Sequence, residues 1–428
     1  MSLAFRKPVW SHPISGLRNR LGLLAFGVVL ALVSACEPGE TLRERSNGAT
    51  AGSRSLESDS SPSSNDKDGT VDPEGGGNDP AHENVTPTKR FSIVATGDIL
   101  THSPVYERAR VNGGDEYDFS PMFRKVKPQL SAADLAICHL ETPLSPDNQS
   151  LSSYPAFNVP HQLADAIAKA GYDYCSTASN HSYDQGPEGV KATLDVLDRA
   201  GVRHDGTARA PRGAEHPEII EVEGVKVGLL SYTYGLNGFV LPQHQSWSVD
   251  VIGTESILIE ARAARRAGAD FVIVSLHWGV EYQVPPSADQ VTLGRRLLKT
   301  DAIDLILGHH AHVVQPIDRI GKDYVVYGMG NFLSDQTIAC CAEETQNGVI
   351  VRLVIEGQAD DLRVKEVTYT PTRIQQGDYV ITPVALALDN PSTPAESRSL
   401  LRESWRQTTT AIESLGAGKF GVKPDLAP

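Results

Sequence analysis

Positive charge is scarce in this chain: 39 Lys and Arg stand against 53 Asp and Glu, for a formal net charge of −14. No basic stripe gathers what there is, which argues against nucleic acid as a partner. No repeat of solenoid length is visible, so the chain is not read as a stacked array. Long apolar runs are missing as well. The longest near the N-terminus, Leu21–Val33, falls short of the roughly 20 apolar residues that a spanning helix needs. Cysteine is sparse, with five in the whole chain. The four after Cys36 allow three connectivities. Cys138 and Cys175 lie inside apolar strand patterns and read as buried free thiols. Adjacent Cys340 and Cys341 would bridge only with strain.

The N-terminus carries a recognisable order of features. Arg6, Lys7, Arg18 and Arg20 precede the run Leu21–Val33, and Ser34, Ala35 and Cys36 follow it. A basic leader, a short apolar core and small residues at a cleavage point make a secretory signal. Residues 37–90 are dominated by Ser, Gly, Asp and Asn. Too few are apolar to offset ordering entropy, so the segment reads as a flexible tether. The folded part begins near Phe91 and leaves about 300 residues, enough for one large α/β domain. A helical tail over residues 391–428 follows it.

Short apolar runs suited to buried strands alternate with amphipathic helical stretches. The runs are Phe91–Thr96, Asp134–Leu140, Tyr172–Ala178, Val225–Tyr232, Phe271–Leu276, Ile303–Leu307 and Tyr324–Tyr327. Three of the helical stretches end alike, at Lys169-Ala170-Gly171, Arg199-Ala200-Gly201 and Arg266-Ala267-Gly268. A basic last turn followed by Gly is a stop signal. The alternation predicts a largely parallel sheet with covering helices. Two antiparallel hairpins are also expected, Ile219–Val222 with Val225–Leu230 and Val349–Ile355 with Leu362–Tyr369. The sheets should therefore be mixed.

Polar residues collect just after these strands: Asp98 and His102, Glu141, Asn180 and His181, His277 and Glu281, His309, His310 and His312, and Asn331. Strand C-termini of a parallel sheet share one edge, where ligands bind. Six segments thus bring Asp, Glu, Asn and His to one rim. Imidazoles suit transition metals and carboxylates suit harder cations. The mixture fits a two-metal hydrolytic site with one carboxylate between the ions. A single His at a strand end more often caps or packs, and His139 is assigned no role on that ground.

Gly97-Asp98-Ile99-Leu100-Thr101-His102, Leu140-Glu141-Thr142-Pro143-Leu144, Ser179-Asn180-His181, His277-Trp278-Gly279-Val280-Glu281-Tyr282, Gly308-His309-His310-Ala311-His312-Val313-Val314-Gln315 and Tyr327-Gly328-Met329-Gly330-Asn331-Phe332 resemble motifs of the CapA family. These are poly-γ-glutamate capsule biosynthesis proteins related to calcineurin-like metallophosphoesterases. The resemblance runs from about Phe91 to Asp335 and implies a metallophosphatase-like sandwich of two mixed β-sheets flanked by helices. It implies one or two divalent ions (Mn, Fe or Zn) held by Asp98, Glu141, Asn180, His277, His310 and His312. His309 competes with His310 for its place, and His102, His309, Glu281 and Asn331 are further candidates as ligands or supports. His181 is implied to meet the substrate or protonate the leaving group. This sequence departs from the superfamily pattern twice. Glu141 stands where a bridging Asp is usual, and the Asp-x-His pair is replaced by His102 four residues after Asp98.

Val33-Ser34-Ala35-Cys36 likewise resembles a bacterial lipobox. It implies cleavage before Cys36, acylation of its thiol, and attachment to the cell membrane or outer membrane, facing periplasm or exterior. Two functions are expected from the whole. One is metal-dependent hydrolysis of a phosphoester or amide in a cell-surface polymer or its precursor, alongside other capsule-synthesis proteins. The other is a non-catalytic scaffold or anchor for capsular polymer.

Overall fold

The computed structural model describes residues 88–426 except 115, 212–216 and 359–360. The signal, Cys36 and the tether up to residue 87 lie outside the described residues; Lys89 and Arg90, expected in the tether, already belong to the first strand, Lys89–Ile99.

Chain order builds first one sheet, then a second, then returns to the first. Lys89–Ile99 (β1), Leu135–Leu140 (β2), Tyr174–Ser176 (β3) and Arg203–Asp205 (β4) lie side by side and parallel. The second sheet takes Glu218–Val222 (β5), Val225–Thr233 (β6), Phe271–His277 (β7), Leu305–His309 (β8), Ile317–Ile320 (β9) and Asp323–Val326 (β10), in the order β5-β6-β7-β8-β10-β9. Its central strands β6, β7, β8 and β10 are parallel, with β5 and β9 antiparallel at its edges. The chain then rejoins the first sheet through Asn331–Leu333 (β11), Asn347–Gly357 (β12), Arg363–Ile374 (β13), Ile381–Pro383 (β14) and Lys423–Pro424 (β15). Both expected hairpins form, as β5–β6 and β12–β13.

Period two explains why the sheets stack. Phe91, Ile93 and Ala95 share one face of β1 and meet Leu229, Ile273, Leu305 and Leu307 of the other sheet in a common core. The opposite faces are apolar too, as expected for strands covered on both sides. Val94, Ala136 and Cys138 pack under the helices Ser103–Gly113 and Gln162–Ala170. Val272, Val274 and Ile306 pack under Thr254–Arg266 and Ala288–Leu298. The result is helices, sheet, sheet, helices. The stop-signal glycines 171, 201 and 268 all hold positive φ.

One expectation about the cysteines is corrected. Cys138 and Cys175 are paired, not free. They are register partners on the adjacent parallel strands β2 and β3, with Cα atoms 4.5 Å apart. Apolar strand patterns hide such a pairing because register between separate strands is not written in either one. Cys340 and Cys341 are also paired. Asn331 follows the strand Asp323–Val326, as its place after Tyr324–Tyr327 implies. It starts β11, which lies parallel to β1 with Asn331 opposite Asp98.

The helix Ala395–Glu413 packs on the first sheet: Ser404 Oγ donates to Asn347 Oδ1 at 2.7 Å, and β15 adds to β13.

Candidate metal centre

The polar rim forms where β1, β2, β7 and β8 end. Asp98, His277 and His309 are within or at the last residues of their strands rather than beyond them. Two glycines let these ends come together. A Cβ on Gly97 would strike the Gly330 carbonyl, and one on Gly308 that of Tyr327. Beyond β3 the turn is tied by its own hydroxyls: the Ser179 amide donates to Ser182 Oγ (2.6 Å) and the His181 amide to Ser179 Oγ (3.1 Å). His310 and His312 have φ of 86° and 56°. Such backbone costs roughly 1–3 kcal/mol per residue and persists where the surroundings hold it. Here Asp98 Oδ2 accepts from the His310 amide at 3.2 Å.

Asp98 is the hub. Its Oδ1 lies 3.1 Å from His309 Nδ1 and its Oδ2 3.2 Å from His312 Nδ1. Burial alone would raise this carboxyl, but the two histidines outweigh it and hold it below the ordinary carboxylate range. For His312 burial acts downward, yet Glu141 and Asp98 push it up to about 9. Asn331 Oδ1 reaches the same His312 Nδ1 at 3.2 Å and is itself fixed by Nδ2 donating to Thr345 O.

Glu141 is fully buried, 3.8 Å from His312 Nε2 and 3.9 Å from His277 Nε2, and neither of its carboxylate oxygens has a hydrogen-bond partner. Burial pushes its carboxyl well above the usual range, against His312 and with Asp98 and Glu281. Buried His309 Nε2 and His310 Nδ1 are likewise unpartnered.

His277 is aimed by a buried chain of hydrogen bonds. Ser176 Oγ lies 3.3 Å from Cys138 O and 2.8 Å from His139 Nδ1. Nε2 of His139 is bonded to Nδ1 of His277 at 2.9 Å. Burial lowers both imidazoles well below their ordinary value, so both are neutral. His277 Nε2 faces Asn180 Oδ1 at 2.9 Å. The Asn180 amide is turned that way because its Nδ2 donates to Asn237 Oδ1 at 3.2 Å. The unpartnered Glu141 carboxyl lies 3.9 Å from the same His277 Nε2. The donor set of imidazole nitrogens, amide oxygen and carboxylates fits a divalent transition metal. Close groupings of ligand atoms occur at Asp98, Glu141 and His312, at Glu281, His310 and His312, and at Asp98, His139 and His309.

Asp98, Glu141, Asn180, His277, His309, His310 and His312 are thus brought together. Glu281 is exposed at the edge. His102 is at the start of the helix Ser103–Gly113, its Nδ1 bound to Leu100 O at 3.1 Å, and burial lowers it to about 4. His181 stands beside Asn180 and is paired through Nδ1 with Asp184 Oδ2 at 2.8 Å.

The omission of His139 is corrected: it is wholly buried, stacked on His309 with ring centroids 4.0 Å apart, and bonded to His277. Asp184, three residues after His181, was within reach of local spacing. Ser176 and Asn237 carry no local signal. Nor does Tyr234, whose ring lies 4.5 Å from that of His310, whereas Tyr282, 6.1 Å from the ring of His312, closes the motif His277–Tyr282.

Comparison with known proteins agrees with the motifs. Capsule biosynthesis protein CapA of Bacillus anthracis is 26% identical over 321 residues, 72% of this chain and 74% of that one. PGA biosynthesis protein CapA of Bacillus subtilis (strain 168) is 25% identical, over 58% of this chain and 64% of that one. Among solved structures, the calcineurin-like phosphoesterase YfkN from Bacillus subtilis matches with a TM-score of 0.40 and 16% identity, over 75% of this chain and 98% of that one. The family described as bacterial capsule synthesis protein PGA_cap matches residues 92–336, more than half of the sequence, and the chain belongs to that family.

Proposed function

We propose that this protein is an exported lipoprotein, anchored through Cys36, that hydrolyses a phosphoester or amide bond in a poly-γ-glutamate-type capsular polymer or its precursor. Membership of a capsule synthesis family supports the polymer. The observation that carries the hydrolytic reading is the buried Glu141 carboxyl, neither oxygen of which has a hydrogen-bond partner, set beside His277 Nε2, His312 Nε2 and Asn180 Oδ1. Unpaired acceptors in a buried site are costly unless a cation joins them. Asp98, Glu141, Asn180, His277, His310 and His312 are the residues that would hold one or two ions, with His309 the alternative to His310. A divalent ion bound there supplies Lewis-acid chemistry, polarising the bond under attack and lowering the pKa of water.

The chain's own residues do the rest. Ser176, His139 and Asn237 fix the directions of His277 and Asn180. Asp184 Oδ2 accepts a hydrogen bond from His181 Nδ1–H, which leaves Nε2–H to give a proton to the departing group while Nδ1–H stays in place. Tyr234 lies against His310 and Tyr282 against His312.

The test is metal analysis of purified protein together with turnover on a phosphoester panel and on isolated capsule polymer, with and without chelator. One or two ions per chain and chelator-sensitive turnover are expected. No stoichiometric metal after supplementation with Mn, Fe or Zn would sink the reading. Metal without turnover on any of these would favour the scaffold instead.

A further inference from the structure

The metal centre gathers the carboxyls of Asp98, Glu141 and Glu281 among its histidines. Cations without carboxylate partners occur elsewhere on the same edge. A cavity of about 570 Å³ is walled by β13, β14 and the helices Val384–Asp389 and Ala395–Glu413, and Lys125 and Arg373 line it. Arg373 donates from Nη1 to Asn347 Oδ1 (3.0 Å) and from Nη2 to Gln346 Oε1 (2.8 Å), both neutral amide oxygens. Lys125 donates to Thr382 Oγ1 at 3.2 Å. Neither enters an ion pair among the described residues; Glu343 and Asp378 are the acidic groups that act on Arg373 and Lys125 from farther off. A guanidinium has five N–H donors, and only two bonds are made here. Burial disfavours the charge of both cations, a cost that an anion in the cavity would offset.

The remaining wall is of two kinds. Gln346 presents an amide, and Leu400 and Leu401 present apolar surface. The first turn of the helix Ala395–Glu413 opens here through Ser397, and no side chain caps that helix. Its free amides add to the pull on an anion.

Position relates this cavity to the metal centre. β12 is antiparallel to β1, and β13 antiparallel to β12, so β13 runs with β1. Arg373 near the end of β13 and Asp98 near the end of β1 therefore lie on the same sheet edge, with β11 and β12 between them, three strand spacings or roughly 14 Å apart across the sheet. Thr345, whose carbonyl anchors Asn331 behind His312, directly precedes Gln346.

We propose that the Arg373–Lys125 cavity is a second binding site, for a carboxylate-bearing polyamide chain, which it holds beside the metal centre. Carboxylates meet Arg373 and Lys125, amides meet Gln346, and methylenes lie on Leu400 and Leu401. The link to the metal centre rests on the hydrolytic reading above; the binding itself does not.

Calorimetric titration of the full chain with a synthetic γ-linked glutamate oligomer tests it, with glutarate and inorganic phosphate as separate titrants. Saturable oligomer binding that weakens with salt is expected, tenfold or more weaker in Arg373→Gln and lost in Arg373→Gln/Lys125→Gln. Both variants should keep the wild-type melting temperature and metal content. Leu400 is 54% exposed, so Leu400→Glu should fold and repel the oligomer even where the double variant does not fold. Oligomer affinity unchanged in the folded double variant or in Leu400→Glu overturns the proposal. So does glutarate or phosphate binding as tightly as the oligomer. His277→Ala should bind oligomer normally. If it loses binding while Arg373→Gln keeps it, the polymer is held at the metal centre and the cavity is not its site. Absence of metal in the wild type would remove the hydrolytic reading and leave this result standing.

Discussion

Nε2 of His139 lies 2.9 Å from Nδ1 of His277, so the imidazole that aims His277 at the centre is itself a histidine, backed by the Ser176 hydroxyl. A metal-binding histidine commonly donates its second nitrogen to a carboxylate or carbonyl, and loss of that partner costs about 10–100-fold in metal affinity. His139→Ala should therefore weaken metal retention by about that factor, read as the chelator concentration that strips half the metal. His139→Gln, which can still accept from His277, should recover part of it. Equal retention in all three proteins would show that His139 only fills space.

His181 should matter to turnover more than to metal content. Its Nδ1 is engaged by Asp184 while Asn180 next to it faces His277. Removing a general acid costs about 10²–10⁴ in rate. His181→Ala should fall by that much with full metal, and Asp184→Asn should lower the rate by a smaller factor. Loss of metal and turnover together in His181→Ala would make it a ligand or a loop support.

Stability should depend on pH through a residue far from this chemistry. Asp323 at the start of β10 is pushed up to about 7, by burial first and then by the charge of Asp304, against Lys322, Arg363 and Arg265. The folded chain then keeps a proton that the unfolded chain, with an Asp near 3.9, has released. Unfolding free energy therefore falls as pH rises from about 4 to about 7. Asp323→Asn removes that loss. Its melting temperature should exceed the wild type by roughly 2–4 °C at pH 8, the size of ~1 kcal/mol in a domain, and match it near pH 3.5. An equal offset at both pH values would refute the titration.

Export is tested at Cys36. Mature protein should begin there and partition with membranes, and Cys36→Ser should abolish both processing and membrane association. Unchanged fractionation of Cys36→Ser would end the lipoprotein reading.

Much of this protein was decided locally, by residues within a few positions of one another. Alternating apolar runs set the strands, the Lys-Ala-Gly and Arg-Ala-Gly endings closed three helices, and short motifs announced Asp98, Asn180-His181 and His309-His310-Ala311-His312 at strand ends. Those signals survive in a linear sequence because period and capping are near-neighbour physics. Tertiary structure decided what depends on register between distant strands. It set Cys138 opposite Cys175, put Asn331 beside Asp98 in the first sheet, and joined His139 to a histidine 138 positions later. It also brought Lys125 and Arg373 to one cavity, although nothing near either marks the other. A pattern shows which face of a strand is buried; only the packed sheets show which side chain of another strand it meets there.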